Sequence, residues 1–149
     1  MESIKSGATF GMTKEQIINR AFMKCAVSFS ELSKAERKKV GAALVKNHAV
    51  ISMGYNGTYP GSDNVCEDEN NVTKKEVLHA ELNCLSKIAK STMSSDGADM
   101  YITLSPCFDC AKLMAQCGIK RVFYLEEYRD LAGVEFLRNV GIHVEQVII

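Results

Sequence analysis

From Met100 onward the chain alternates short runs of aliphatic, β-branched and aromatic residues with stretches of helical period, and each changeover carries its own punctuation. Met100–Leu104 reads as a strand and runs into Ser105-Pro106, where proline suits the first position of a helix. That helix carries Cys110, Leu113, Met114 and Cys117 and stops at Gly118. Val122–Leu125 is the next strand, Asp130 caps a helix through Val140, Gly141 ends it, and Ile142–Ile149 closes the chain as a strand. Strands joined through helices pair in parallel, and helices then cover the faces of the sheet.

The N-terminal half adds a helix and a hairpin. Thr13 with Gln16 fits a capping box, and Ile18, Ala21, Phe22, Cys25 and Phe29 follow at three- and four-residue intervals. Val40–Val45 and Val50–Met53 are strand-like runs around the polar turn Lys46-Asn47-His48-Ala49. A second helix begins near His79 with Leu82, Leu85, Ile88 and Ala89 on one face. The order αββαβαβαβ predicts an α/β fold, a three-layer α/β/α sandwich on a five-stranded mixed sheet with one antiparallel hairpin strand. No repeat or linker divides residues 1–149, which are expected to form one domain.

Composition narrows the function classes. With 46% hydrophobic and 24% charged residues, a 149-residue chain buries roughly 70% of its unfolded surface, so disorder is excluded as the main state. No apolar run approaches the roughly 20 residues of a membrane span, and MESIKSGATFGMTKEQ lacks the apolar core of a signal peptide, which predicts a cytoplasmic protein with no membrane partner. Eighteen basic residues balance eighteen acidic ones, whereas proteins that live on nucleic acid usually carry a basic excess; the expected partner is a small molecule rather than a polymer. Six cysteines in a reducing cytosol are expected as thiols or metal ligands, with Cys25, Cys84 and Cys117 as small core residues. Tyr55–Lys75 is polar, acidic at Cys66-Glu67-Asp68-Glu69 and long for a loop, which is typical of functional or disordered segments.

Two short motifs carry chemistry: His79-Ala80-Glu81 at the start of one helix, and Pro106-Cys107-Phe108-Asp109-Cys110 at the start of the next. Cys107 follows His79 by 28 residues. Cysteines at i and i+3 on a first helical turn point the same way, and a helix N-terminus favours the thiolate that a metal requires. His79, Cys107 and Cys110 make three ligands for zinc, whose charge two thiolates and a neutral imidazole cancel. Structural zinc sites are closed by four protein ligands, while catalytic ones keep a position for water, whose pKa falls to about 7. Glu81, two residues past His79, can stand beside that water as proton carrier without binding the metal. Read as bare residues, the motifs leave open a structural zinc with an unseen fourth ligand, and a Glu81 that merely complements the helix dipole.

His-x-Glu followed by Pro-Cys-x-x-Cys is the signature of zinc deaminases acting on cytosine or adenine. Beyond that signature, Val40-Gly41-Ala42-Ala43-Leu44-Val45, Gly54-Tyr55-Asn56-Gly57, His79-Ala80-Glu81-Leu82-Asn83 and Tyr128-Arg129-Asp130 resemble the deoxycytidylate (dCMP) deaminase family, from about Ser33 to Val140. The resemblance implies a cytidine-deaminase-like sandwich that hydrolyses dCMP to dUMP and ammonia, and so supplies dUMP for dTMP synthesis. It implies one catalytic Zn²⁺ on His79, Cys107 and Cys110. Glu81 would take the water's proton, pass it to N3 and later protonate the leaving ammonia.

The resemblance further implies that Asn56 reaches the nucleoside, that Arg37 lies near the 5′-phosphate and that Tyr128 lines the nucleotide site. From the residues alone, Asn56 also reads as a turn residue, Arg37 as part of the solvated cluster Lys34–Lys39, and Tyr128 as packing. Family members resemble allosteric homohexamers, activated by dCTP and inhibited by dTTP, with Mg²⁺ accompanying the triphosphate, at a site formed with the loop that here is Gly54, Tyr55, Asn56 and Gly57. The loop continues Thr58-Tyr59-Pro60-Gly61, its proline one position later than the family pattern. A second, structural zinc in some members uses Cys and His from the following insertion, where this sequence has Cys66 but no histidine between His48 and His79. The alternatives are a deaminase of another cytosine or adenine compound, a nucleoside or a transfer RNA, and a non-catalytic binding module stabilised by zinc.

Overall fold

The computed structural model describes residues 9–149. Its elements are α1 (Lys14–Ser30), β1 (Gly41–Lys46), β2 (Ala49–Tyr55), α2 (Ala80–Ala89), β3 (Asp99–Leu104), α3 (Phe108–Gln116), β4 (Arg121–Glu126), α4 (Ala132–Asn139) and β5 (His143–Gln146). The sheet order is β2-β1-β3-β4-β5. β1 pairs antiparallel with both β2 and β3, whereas β3–β4 and β4–β5 are parallel, so β1 alone runs against the other four. The hairpin turn is the two residues Asn47 and His48, both at positive φ (53° and 60°), the sense that matches the twist of the flanking strands.

Strand alternation divides the core between two faces. Ala42, Leu44, Met100, Ile102, Val122, Tyr124 and Val144 pack under α2, α3 and α4. Ala43, Val45, Tyr101 and Phe123 face α1, where they meet Met23 and Ala26. Tyr101 stacks on Phe123 with ring centroids 4.7 Å apart, and its hydroxyl donates to Asn19 Oδ1 at 2.6 Å, a buried bond from β3 to α1. This is the three-layer sandwich that the alternation predicts. Among the described residues no helix is long and apolar enough to cross a membrane.

Local rules place most boundaries. Thr13 and Gln16 form the reciprocal capping box. Gly118 and Gly141 end α3 and α4 with paired bonds, Ile119 N–H to Met114 O and Ile142 N–H to Leu137 O closing the outer rings. Several expectations shift. Pro106 precedes the N-cap Cys107 instead of opening the helix, so Cys107 stands at the cap and Cys110 in the first turn. The cap of α4 is Leu131, with the Asp130 carboxylate one residue earlier accepting from Ala132 N–H at 3.0 Å. β5 ends at Gln146 and not Ile149: its pairing with β4 stops at the Tyr124–Gln146 pair, two residues before β4 itself ends at Glu126.

The buried faces of α1 and α2 are also rotated from the expected ones. In α2 the stripe is Glu81, Cys84, Leu85 and Ile88, with Ala89 exposed; in α1 it is Asn19, Met23 and Ala26, with Ala21 exposed. In each case a buried polar residue, Glu81 or Asn19, hides the stripe from a count of apolar positions. Tyr101→Phe should lower stability by about 1–3 kcal/mol in urea unfolding, because it leaves Asn19 Oδ1 buried without its donor.

Candidate active site

The site lies at one edge of the sheet, where β2, β3 and β4 end and β1 begins. Ligand sites of open α/β sheets collect at this edge, outside the carboxyl ends of the strands. β3 ends at Leu104, and the short segment Ser105–Cys107 turns into α3. After β2, residues 56–79 fold back over the edge, tied by bridges at Gly57–Leu78 and Glu67–Thr73, and deliver His79 to the start of α2. His79 and Cys107 are thus the N-caps of α2 and α3, and neither side chain caps its own helix. Both turn instead toward each other.

His79 Nδ1 lies 3.3 Å from Cys110 Sγ and 3.6 Å from Cys107 Sγ. One donor atom from each of the three residues falls within 4.8 Å of the others. Zinc bond lengths of about 2.0–2.3 Å put tetrahedral ligand atoms about 3.6–3.8 Å apart, so the donor set fits that ion in both spacing and chemistry. The Cys107 thiol is pulled down to about 4, chiefly because Cys110 and then His79 hydrogen-bond to it. Cys110, the donor of that thiol pair, is raised, and burial adds to the effect. No fourth cysteine, histidine or carboxylate joins this set, and no second such cluster occurs among the described residues. Cys66 is buried with its Sγ toward Asn64 O at 3.8 Å and belongs to no group of three metal-ligating side chains among the described residues. All six cysteines are free.

Close approaches of backbone hold these helix starts in place. A Cβ on Gly54 of β2 would stand 2.6 Å from Ala80 O and from Cys84 N, so only glycine lets the strand lie this close to the first turn of α2. A Cβ on Gly133 of α4 would stand 2.2 Å from Pro106 O and 2.7 Å from Cys107 O. Gly133 therefore seats α4 directly on the peptide that carries a ligand, a role that nothing in its local sequence discloses.

Beside the donor set is a cavity of about 340 Å³, lined by His79, Cys107 and Glu81 and also by Arg37, Asn56 and Tyr128. It is of the size that takes a small ligand. Val40, Val77, Ala80, Ile102 and Leu104 supply apolar walls. Glu81 is 3% exposed, and burial pushes its carboxyl up to about 7, where one group can both take and give a proton. A cation held by the adjacent donors would favour its charged form. Arg37 forms no ion pair among the described residues; its guanidinium donates to Thr73 Oγ1 at 3.5 Å.

Asn56 is engaged at both ends of its amide, accepting from Val40 N–H at 2.9 Å and donating to Lys38 O at 2.8 Å. One N–H and one lone pair remain for anything else. Tyr128 is set by its own N–H, which donates to Ser105 Oγ at 2.6 Å, and Arg129 lies over its ring at 5.8 Å. Of the loop Gly54, Tyr55, Asn56 and Gly57, only Asn56 reaches the cavity; Gly54 packs on α2, and Tyr55 O accepts from Asn83 Nδ2 at 2.7 Å. Lys38, Glu67, Thr73 and Arg129 also line the cavity, and the sequence reading assigned them no part. For Arg129 its place beside Tyr128 was a pointer. For Glu67, inside an acidic run, there was none.

Residues 16–126 match the profile of the cytidine and deoxycytidylate deaminase zinc-binding region. The chain belongs to this deaminase family. It is 33% identical to the deoxycytidylate deaminase of Enterobacteria phage T4, over 84% of this chain and 87% of that protein. To ComE operon protein 2 of Bacillus subtilis it is 34% identical, over 87% and 70% respectively. The dCMP deaminase of cyanophage S-TIM5, solved in complex with dCMP and dUMP, superposes with a TM-score of 0.86 at 46% identity, covering 91% of this chain and 99% of that one. Gly133→Ala should weaken zinc retention by about 10- to 100-fold in competition with a chromogenic chelator, the range expected when the support of a ligand is disturbed.

Proposed function

We propose that this chain catalyses the hydrolytic deamination of dCMP to dUMP and ammonia. The observation that carries the reading is a three-donor set that no fourth ligand joins among the described residues, bordered by the buried carboxylate of Glu81, in a cavity also lined by Arg37. His79, Cys107 and Cys110 would hold zinc, which would supply an activated water at neutral pH by lowering its pKa to about 7. Glu81 accepts the proton that this water gives up and delivers it to N3 of the cytosine. As the oxygen of that water bonds to C4, Glu81 takes its remaining proton and hands it to the 4-amino group, and the C4–N bond breaks to release ammonia and leave the C4 carbonyl of the uracil. The carboxylate returns to its starting state, so one water is consumed for each ammonia released.

Around this chemistry the chain's residues hold the nucleotide. Ile102, Leu104, Val40 and Ala80 exclude water from the base. Arg37 offers a guanidinium to the 5′-phosphate, for which two parallel N–H donors are well shaped. Asn56 keeps the segment Lys38–Val40 against the cavity and has one donor left for the nucleoside, and Tyr128 closes the side formed after β4. The six free thiols suit a reducing cytoplasm. The reading includes supply of dUMP for dTMP synthesis. On resemblance it also includes a hexamer and regulation by dCTP and dTTP, the triphosphate bound with Mg²⁺ at the Gly54–Gly57 loop; sedimentation and rate measurements with each effector added test this.

Ultraviolet monitoring of dCMP, deoxycytidine, CMP and dCTP side by side tests the activity. Deamination of dCMP is expected to lead, and absence of ammonia from every one of them by zinc-loaded protein overturns the reading. Glu81→Gln should retain one zinc and lose at least about 100-fold in kcat. Removal of zinc by chelation should abolish turnover while far-ultraviolet circular dichroism keeps most of its helix signal, since of the donor set only Cys110, with Cys107 at the margin, joins the apolar core.

A further inference from the structure

One buried carboxylate lies outside the chemistry above. Glu67 belongs to the run Cys66-Glu67-Asp68-Glu69, whose two other acids are exposed, yet it is itself 8% exposed and makes no ion pair among the described residues. A buried charge needs compensation, and here backbone amides provide it. Glu36 N–H is shared by the two carboxylate oxygens at 3.2 and 3.1 Å, and Arg37 N–H donates to Oε2 at 3.2 Å. Two successive peptides of an irregular segment thus close on one side chain that comes from 30 residues away.

The loop that carries Glu67 is braced. Asp68 N–H donates to Val72 O at 2.8 Å, Lys74 N–H donates to Cys66 O at 2.8 Å, and Glu67 is bridged to Thr73. The two bridged residues both act on Arg37: Glu67 holds its backbone, and Thr73 Oγ1 accepts from its guanidinium at 3.5 Å. Because Glu67 spends its charge on backbone N–H groups, the guanidinium keeps its own charge for an anion in the cavity.

We propose that Glu67 is a positioning residue that orients Arg37 toward the 5′-phosphate and thereby sets the preference for a nucleoside monophosphate over a nucleoside. The inference rests on the reading of Arg37 as the phosphate ligand. A group fixed before binding costs less ordering when the substrate arrives, and the gain falls only on substrates that carry the phosphate. A glutamine at this position turns one acceptor oxygen into a donor facing donors, so the grip on residues 36 and 37 loosens while the loop's own bonds remain.

The test compares zinc-loaded wild type, Glu67→Gln, Thr73→Val, Arg37→Ala and the Glu67→Gln/Arg37→Ala double variant on dCMP and deoxycytidine. Expected for Glu67→Gln is a rise of about tenfold in KM for dCMP with kcat changed by less than about threefold, and kcat/KM for deoxycytidine unchanged. In the Arg37→Ala background the same substitution should add nothing, because its effect passes through Arg37. Equal losses on both substrates, or additivity with Arg37→Ala, overturn the proposal and leave Glu67 as a brace of the loop, with the dCMP reading intact. Should Arg37→Ala spare the difference between dCMP and deoxycytidine, the phosphate role of Arg37 falls, and this proposal with it. If Glu67→Gln does not fold, Thr73→Val decides: a KM increase confined to dCMP supports the proposal, and no increase overturns it.

Discussion

His79 and Cys107 each occupy the N-cap of a helix, and the packing that brings those two helix starts together is the constraint on which the rest of the site depends. A cap position normally belongs to a side chain that satisfies its own helix. Here both side chains turn away from that task and toward each other, within 3.6 Å. The amides at the two helix ends then favour negative charge where thiolates are needed. The arrangement survives because backbone meets backbone around it: β2 lies on α2 at Gly54, and α4 lies on the Cys107 peptide at Gly133.

The sheet supplies the place. β1 alone runs against the other strands, so its N-terminal end meets the C-terminal ends of β2, β3 and β4 at one edge. Residues 33–41, 56–79, 104–107 and 126–131 therefore converge there. Their polar groups satisfy one another: Ser33 with Asn56 O, Asn56 with the backbone of Lys38 and Val40, Thr103 with Gly41 N–H, and Ser105 with Tyr128 N–H. Such a network resists movement because each group left unpaired would cost about 1–3 kcal/mol. A rigid rim around a small cavity with apolar walls and charged residues along its lining suits a small polar ligand.

Much of this was legible in the chain. The alternation from Met100 onward predicts the parallel half of the sheet, the capping box predicts the start of α1, and the two motifs predict a three-donor set next to a carboxylate. Where the reading slipped, a polar residue sat in an apolar stripe or a strand stopped short of its partner's end. Glu81 and Asn19 made the buried faces of α2 and α1 look one position off, and β5 stops at Gln146, opposite Tyr124, although β4 runs on to Glu126. Arg37 illustrates the remaining difficulty, for it stays exposed, as its charged cluster suggests, and only the fold shows that residues of a distant loop bond to its backbone and guanidinium.

Caps, helical period, turn residues and ligand spacing act over a few neighbours, and the sequence by itself therefore determined the order of elements, the capped start of α1 and the chemistry of the donor set. Long-range packing alone decided the other features. It buried Glu81 and so brought its carboxyl near neutrality, closed Glu67 on two amides some thirty residues away, and made Gly133 the seat of a ligand-bearing peptide. Those outcomes depend on which surfaces meet when the layers close, and no local pattern encodes a contact whose partner lies across the fold.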